Sequence, residues 1–176
     1  PPNYRFPSAK SVGQLCWDKA KDFITKAFTI IFAATVVIWF LQTFDIRFNV
    51  VVDQSQSLLA GLGSIIAPLL APLGFGDWRA STALVTGLIA KESVISTLTV
   101  LLGATSPAAL STMFSPFTAY VFLVFTLLYP PCVAAIGAVK SELGARYAVA
   151  VFAFQAAVAW IVAFVVHSAG ILLGLA

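Results

Sequence analysis

Residues 93–139 read SVISTLTVLLGATSPAALSTMFSPFTAYVFLVFTLLYPPCVAAIGAV, an unbroken run without Asp, Glu, Lys or Arg. A bilayer core about 30 Å thick is crossed by about 20 apolar residues in a helix, so this run is long enough to cross nearly twice. A second such stretch follows Arg146, where His167 is the only ionisable group of note. Of the 176 residues, 60% are hydrophobic and 10% charged, against roughly 25% charged in ordinary soluble domains. So few charges cannot cover the surface of a water-soluble domain of this size. Lipid is therefore the solvent for much of the surface, and the fold class is an all-α polytopic membrane protein.

Working outward, residues 1–6 are extended and proline-containing, and no helix starts before Pro7. Ser8 or Ser11 caps a helix whose first turns mix Lys10, Asp18, Lys19 and Asp22 with Leu15, Trp17, Phe23 and Ile24. That mixture fits an amphipathic, interfacial helix. It runs on into a first span over 27–44, which ends in Trp39 and Phe40. The expected division is thus a cytoplasmic or interfacial segment, 1–26, and a transmembrane domain, 27–176. Residues 57–73 are apolar but short, with Gly61, Gly63, Pro68 and Pro72, and form either a short span or a re-entrant broken helix. Residues 80–102 read as a span with Lys91 and Glu92 at its middle, 117–139 as a span broken at Pro130-Pro131-Cys132, and 147–175 as the last. The total is four or five spans. Five would put Arg79, Lys140 and Arg146 on the N-terminal side, and the enrichment of cytoplasmic flanks in Lys and Arg favours five. The segments 57–73 and 117–132 both end in proline breaks, a pairing that marks binding sites in transporters.

Net charge is +3. Lys10, Lys19, Lys21 and Lys26 flank the first hydrophobic helix, which reads as a cytoplasmic anchor and excludes a nucleic-acid surface. Cys16 and Cys132 lie in different environments and are not expected to pair. No CxxC, phosphate loop, HExxH or GxSxG motif is present in the sequence, so neither an enzyme nor a resident cofactor is expected. The chain opens with Pro-Pro rather than Met, so it is expected to be a piece or split subunit of a longer protein.

Two constellations carry chemistry. A charge at the centre of a membrane helix costs at least ~2.5 kcal/mol, so Lys91 and Glu92 each need a partner on another helix or a wet cavity. Ser93, Ser96 and Thr97 extend a polar stripe from them. This is either a cation pathway or an interhelical ion pair that fixes packing. In Tyr129-Pro130-Pro131-Cys132, two prolines remove two amide donors and free the carbonyls one turn back. Protein, water or an ion must satisfy them. Cys132 adds a soft sulfur suited to a transition metal; the alternative is a kinked packing element with an inert thiol. Glu142 is part of a solvated turn, a partner for Lys91, or part of a metal vestibule. His167 reads as a satisfied or interfacial histidine rather than a ligand, and Gly170–Gly174 as a GxxxG packing pattern.

These residues resemble a known family. The run Pro1-Pro2-Asn3-Tyr4-Arg5-Phe6-Pro7, Ile38-Trp39-Phe40-Leu41, Trp78-Arg79-Ala80, the stretch Thr86 to Leu98 around Ala90-Lys91-Glu92-Ser93, and Leu127-Leu128-Tyr129-Pro130-Pro131-Cys132 with Lys140-Ser141-Glu142 are similar, in order, to the C-terminal gate region of the ferrous iron transporter family, FeoB. The resemblance implies inward movement of Fe²⁺ across the bacterial cytoplasmic membrane, with Fe²⁺ as substrate. It makes Cys132 the gate cysteine and places Lys91 and Glu92 in the core. The expectation built on it is that Cys132 and Glu92 contact the ion, with Lys91, Ser93, Ser96, Thr97, Tyr129, Pro130, Pro131 and Glu142 on the pathway or gate. GTP would act only through an N-terminal GTPase domain that, with the first gate module, is not in this chain, which would not transport alone. Implied partners are the lipid bilayer, those two domains and a further copy in a homo-oligomer. The expected Pro-Cys-x-Ala-Thr pattern reads Pro131-Cys132-Val133-Ala134-Ala135, so one hydroxyl is missing. The rival readings are a nucleoside-like solute gate and a purely structural or oligomerisation domain.

Overall fold

The computed structural model describes residues 8–91, 93–103 and 107–174. Glu92 and the run 1–7 lie outside the described residues. Helix α1 (Ala9–Thr43) starts where Ser8 Oγ accepts the Ser11 amide at 3.3 Å and continues unbroken to Phe44. Asp45 Oδ1 accepts the Arg47 and Asn49 amides at 2.7 and 3.0 Å, turning the chain so that Phe44 and Val50 form an antiparallel bridge. Helix α2 (Leu58–Leu70) is capped by Ser57, contains Pro68 and runs into a 3₁₀ turn, Ala71–Leu73. Helix α3 (Trp78–Gly87) starts on Asp77, whose carboxylate accepts the Arg79 amide at 2.7 Å. Helix α4 (Ser93–Leu101) follows, then a 3₁₀ segment, Pro107–Thr112. Helix α5 (Pro116–Leu128) is capped by Ser115, with Pro116 in its first turn, where proline loses no intrahelical bond. Helices α6 (Val133–Leu143) and α7 (Ala145–Leu172) are joined at Gly144, which has φ 95°.

Three stretches are long and apolar enough to cross a membrane: Ala9–Thr43, Pro116–Leu143 and Ala145–Leu172. The pair Leu58–Leu73 and Trp78–Gly87, bent by 104°, would be a fourth if it crossed as one. Its ends describe a re-entrant path instead. The Leu58 amide donates to Phe44 O at 2.9 Å, so α2 begins at the far end of α1. Trp160 Nε1, midway along α7, donates to Leu69 O at 2.9 Å, so α2 reaches the interior. Leu101, at the end of α4, lines a cavity of about 600 Å³ with Trp78 and Arg79 and with Asp53, Gln54 and Ser55 from the α1–α2 loop. The chain from 58 to 101 therefore enters and leaves at one end of the bundle.

This corrects the expectation that 80–102 is a span with charges at its centre. The segment is a helical hairpin, α3 and α4, and Lys91 sits at its tip. The physical reason lies in the tip itself: an ammonium in the interior needs acceptors, and the reversal sets Lys91 against the free carbonyls of Leu127 and Tyr129. Charge sidedness changes with it. Lys19 and Asp22 of α1 share a cleft with Ser141 and Glu142 of α6. Lys140 and Arg146 thus lie with the N-terminal lysines, whereas Arg79 lies at the opposite end.

The buried core joins α3, α4, α5 and α7. The Phe75 ring meets Phe122 and Phe125 edge-on at 5.2 and 5.6 Å between centroids, and Leu73, Val94, Leu98 and Val121 close around it. Buried Ala159 and Ala163, one turn apart on α7, let neighbouring helices approach closely. Gly170 presses on the Phe117 ring, so this half of the GxxxG pattern is used within the chain. Much of α1 stays exposed, including Trp17, Phe28, Phe32 and Trp39.

The α2–α3 crossing depends on Gly63. A Cβ there would stand 2.8 Å from Trp78 O and collide with the Thr82 hydroxyl, whereas at Gly61 it would meet nothing within 4 Å. Gly63→Val is expected to destabilise the protein by about 1–3 kcal/mol through overpacking. Gly61→Ala should be neutral or stabilising by up to about 1 kcal/mol. Thermal unfolding of both variants in detergent checks this, and equal midpoints would mean that α2 and α3 do not pack this closely.

Candidate functional site

Two interruptions meet in the interior: the hairpin tip at 88–91 and the break at 129–132 between α5 and α6. The break has a simple cause. Proline has no amide hydrogen and drives the residue before it into extended backbone; Tyr129 accordingly has φ −64°, ψ 166°. Cys132, the N-cap of α6, is extended as well, with φ −58°, ψ 156°. Helix α6 starts afresh at Val133, whose amide donates to Leu88 O of the tip at 2.8 Å. Gly87 permits the approach. A Cβ there would collide with Val94 and stand 2.5 Å from the Tyr129 hydroxyl oxygen.

Lys91 completes the junction. Its Nζ donates to Leu127 O and Tyr129 O, each at 3.2 Å, and lies 4.9 Å from the Tyr129 ring centroid. Leu127 O is the acceptor whose helical donor would be the nitrogen of Pro131, so the ammonium replaces a bond that proline removed. Ser93 Oγ donates to Ala90 O at 2.7 Å and lies 3.3 Å from Thr86 O. Thr86 Oγ1 donates to Ala83 O at 2.8 Å and is 3.0 Å from Thr97 Oγ1, which leaves Thr97 to donate between them.

The structure therefore brings Lys91, Ser93, Tyr129, Pro130, Pro131 and Cys132 to one place, with Thr97 joined through Thr86. Cys132 is half-buried and unpaired, at the N-cap of α6, without a side-chain capping bond. Ser96 turns outward: its hydroxyl donates to Ser93 O at 3.1 Å and it lines a polar cavity of about 160 Å³ with Gln42, Gln54 and Thr97. Glu142 lies elsewhere, exposed at the end of α6, in a cleft of about 330 Å³ with Lys19 and Asp22. Ten helical residues separate it from Cys132, about 15 Å along the axis, and the partners of Lys91 are backbone carbonyls rather than Glu142. Glu92 lies outside the described residues. His167 packs against the Gly74 turn. Among the described residues, no three of His, Cys, Asp and Glu converge as a metal cluster.

Sequence reasoning anticipated carbonyls freed one turn before the prolines, Leu127 O among them, but not that Lys91 takes it; it missed the carbonyls of Leu88 and Tyr129, and it missed Thr86, Gln42 and Gln54. Gly87, just ahead of the charged pair, was the available signal for a turn. Leu88 gives none, because only its backbone takes part.

A protein-family model described as Gate, nucleoside recognition, matches residues 24–146, which include both interruptions. The Fe(2+) transporter FeoB of Staphylococcus aureus strain COL is 35% identical over 173 residues, covering 96% of this chain and 26% of that protein. The Fe(2+) transporter FeoB of Methanocaldococcus jannaschii is 36% identical over 183 residues, covering 98% of this chain and 27% of its own length. That of Campylobacter jejuni is 34% identical over 190 residues, covering 98% and 31%. The chain thus spans between about a quarter and a third of the relatives it matches. No solved structure matches it significantly. This all-helical, multi-pass membrane chain belongs to the Gate family of nucleoside-recognition domains and is similar, over nearly its whole length, to the gate region of FeoB Fe(2+) transporters.

Proposed function

We propose that the chain is the C-terminal gate portion of a ferrous iron transporter and that Fe²⁺ passes where the hairpin tip meets the proline break. One observation carries the reading: a cationic side chain, Lys91, lies on carbonyls that a broken membrane helix left free, and the Cys132 thiol stands at the same break. A bilayer tolerates such irregular backbone only where protein or a water-filled path satisfies it. Cys132 supplies a soft ligand and Glu92 a hard one, a pair suited to Fe²⁺, which accepts both. Ser93 and Thr97 line the approach, and Ser96 faces the adjoining polar cavity. Tyr129, Pro130 and Pro131 form the movable break, and Lys91 fastens it closed. Glu142, with Asp22, marks the opposite mouth.

The positive charges give the orientation. Lys10, Lys19, Lys21, Lys140 and Arg146 fall at one end, which the positive-inside rule makes cytoplasmic, in a bacterial inner membrane. The apolar face left exposed along α1 is covered by lipid, by the rest of the same transporter, or by a further copy. GTP control would come from that transporter's GTP-binding domain, and this chain needs no cofactor of its own.

The family description raises a nucleoside-like solute as a second reading. An apolar cavity of about 290 Å³ beside Phe125, Tyr129, Phe152 and Trp160 offers stacking faces. Its Ser81 and Trp160 polar groups are already given to Asp77 O and Leu69 O, and recognition of a nucleoside needs several convergent polar groups. The junction at Lys91 favours an inorganic cation.

With this chain in its parent transporter, Cys132→Ser is expected to lower ⁵⁵Fe²⁺ uptake by iron-starved cells by roughly tenfold, the usual scale for perturbing a metal site, at unchanged membrane abundance. Wild-type uptake would remove Cys132 from the route. Glu92→Gln, assayed the same way, should also abolish most uptake; if it transports normally while Cys132→Ser does not, the carboxylate belongs to packing rather than to the ion path.

A further inference from the structure

We infer that the carbonyls of Leu127 and Tyr129 form a binding site for a divalent cation, and that Lys91 is the competitor built in to fill it. The inference deepens the permease reading, on which it rests. Both oxygens converge on one point, the Lys91 Nζ, at 3.2 Å each. Both are without their helical donors in this arrangement, for different reasons. The donor for Leu127 O would be residue 131, a proline, and that for Tyr129 O would be the Val133 amide, which donates instead to Leu88 O at 2.8 Å. While Val133 is held by Leu88 O, no helical i+4 amide serves either oxygen. The Tyr129 ring face, 4.9 Å from the same nitrogen, adds the attraction of an aromatic quadrupole for positive charge. Leu127 is exposed and Lys91 half-buried, so the cradle lies at the edge of this chain rather than sealed within its core.

An ammonium and a metal ion cannot share this point. A divalent ion interacts with the same carbonyl dipoles about twice as strongly as a single charge at equal distance, but it must displace a tethered rival. It also requires the oxygens to close from 3.2 Å toward the 2.0–2.6 Å range of metal–oxygen bonds, or to bind through water. Cation binding and release of Lys91 are therefore one event. The state with Lys91 fastened has no affinity for the ion, the unfastened state has all of it, and the ion shifts the equilibrium by that difference. By reciprocity, whatever holds the tip against the break weakens cation binding by the same factor. The cargo thus loosens the contact that bars its way, and Cys132, three residues after Tyr129, is placed to take the ion next.

The test measures binding of Mn²⁺, a paramagnetic divalent probe, by EPR to the full transporter in lipid nanodiscs. Lys91→Met should bind Mn²⁺ about tenfold more tightly than wild type if the fastened state holds about nine-tenths of the population. Lys91→Arg, which keeps the competing charge, should stay near wild type. Lys91→Gln should fall between, and it decides the matter should the methionine variant fail to fold. Unchanged affinity in both neutral variants overturns the site, and displacement of Mn²⁺ from Lys91→Met by excess K⁺ overturns its assignment to divalent ions. Uptake of ⁵⁵Fe²⁺ by wild type is scored separately. If it fails, the permease reading falls while the Mn²⁺ data still decide the cradle.

Discussion

An apolar solvent leaves no backbone donor or acceptor unpaired without a cost of several kcal/mol, and this chain breaks its helices twice inside one. The two breaks are affordable only together. The tip of the α3–α4 hairpin gives Lys91 Nζ to the carbonyls of Leu127 and Tyr129, and the restarted helix α6 returns its first amide to Leu88 O. Three bonds cross the junction, and each replaces one that proline or a turn has removed. Either break alone would be a set of orphaned groups in lipid. As a pair they are complementary, which ties the position of the re-entrant segment to the position of Tyr129-Pro130-Pro131-Cys132.

That dependence explains why the packing beneath the junction is rigid and largely aromatic. Phe75, from the turn before α3, wedges between Phe122 and Phe125 of α5, and Phe125 stacks toward Tyr129 at 6.1 Å. A shift of α5 would carry the Tyr129 carbonyl away from Lys91. Gly87 sets the other side, because any side chain there would hold the tip off the Tyr129 ring. The fit has one unpaired group: the Tyr129 hydroxyl is buried without a hydrogen-bond partner among the described residues, a deficit of about 1–3 kcal/mol. The fastened arrangement is therefore not the best one available to every group within it, as would suit the contact that opens in the proposed gate.

The sequence made some of this legible and hid the rest for physical reasons. Charge depletion between Glu92 and Lys140 announces lipid, because hydropathy needs no knowledge of contacts. Pro130 and Pro131 announce a break, because their lack of an amide hydrogen is a local fact. The demand of Lys91 for a partner was equally clear, yet the partner's identity was not. Side-chain reasoning left Glu142 as one candidate, and it stands about 15 Å beyond Cys132 along α6; the acceptors are carbonyls, of which the prolines marked only Leu127 O as free and nothing marked as the partner of Lys91. The same blindness turned a hairpin into a span. Residues 80–102 have the apolar composition of a crossing helix, and only Gly87 and Ser93 hint that the middle of the stretch reverses.

Once 80–102 is a hairpin, the sidedness of the whole chain becomes consistent. The re-entrant elements, the polar cavity beside Gln42, Gln54, Ser96 and Thr97, and Arg79 belong to one end of the bundle. The cleft of Lys19, Asp22, Ser141 and Glu142 belongs to the other. Thr97 connects the first cavity through Thr86 to the tip, and α6 runs from Cys132 toward the second. Polar groups thus reach inward from both ends, and the contact of tip with break stands between them. A gate of this construction needs no large rearrangement of the long helices α1 and α7. In the proposed gate, withdrawing one lysine from two carbonyls, with the small movement that Gly87 and the two prolines allow, would release two of the three hydrogen bonds that join tip to break.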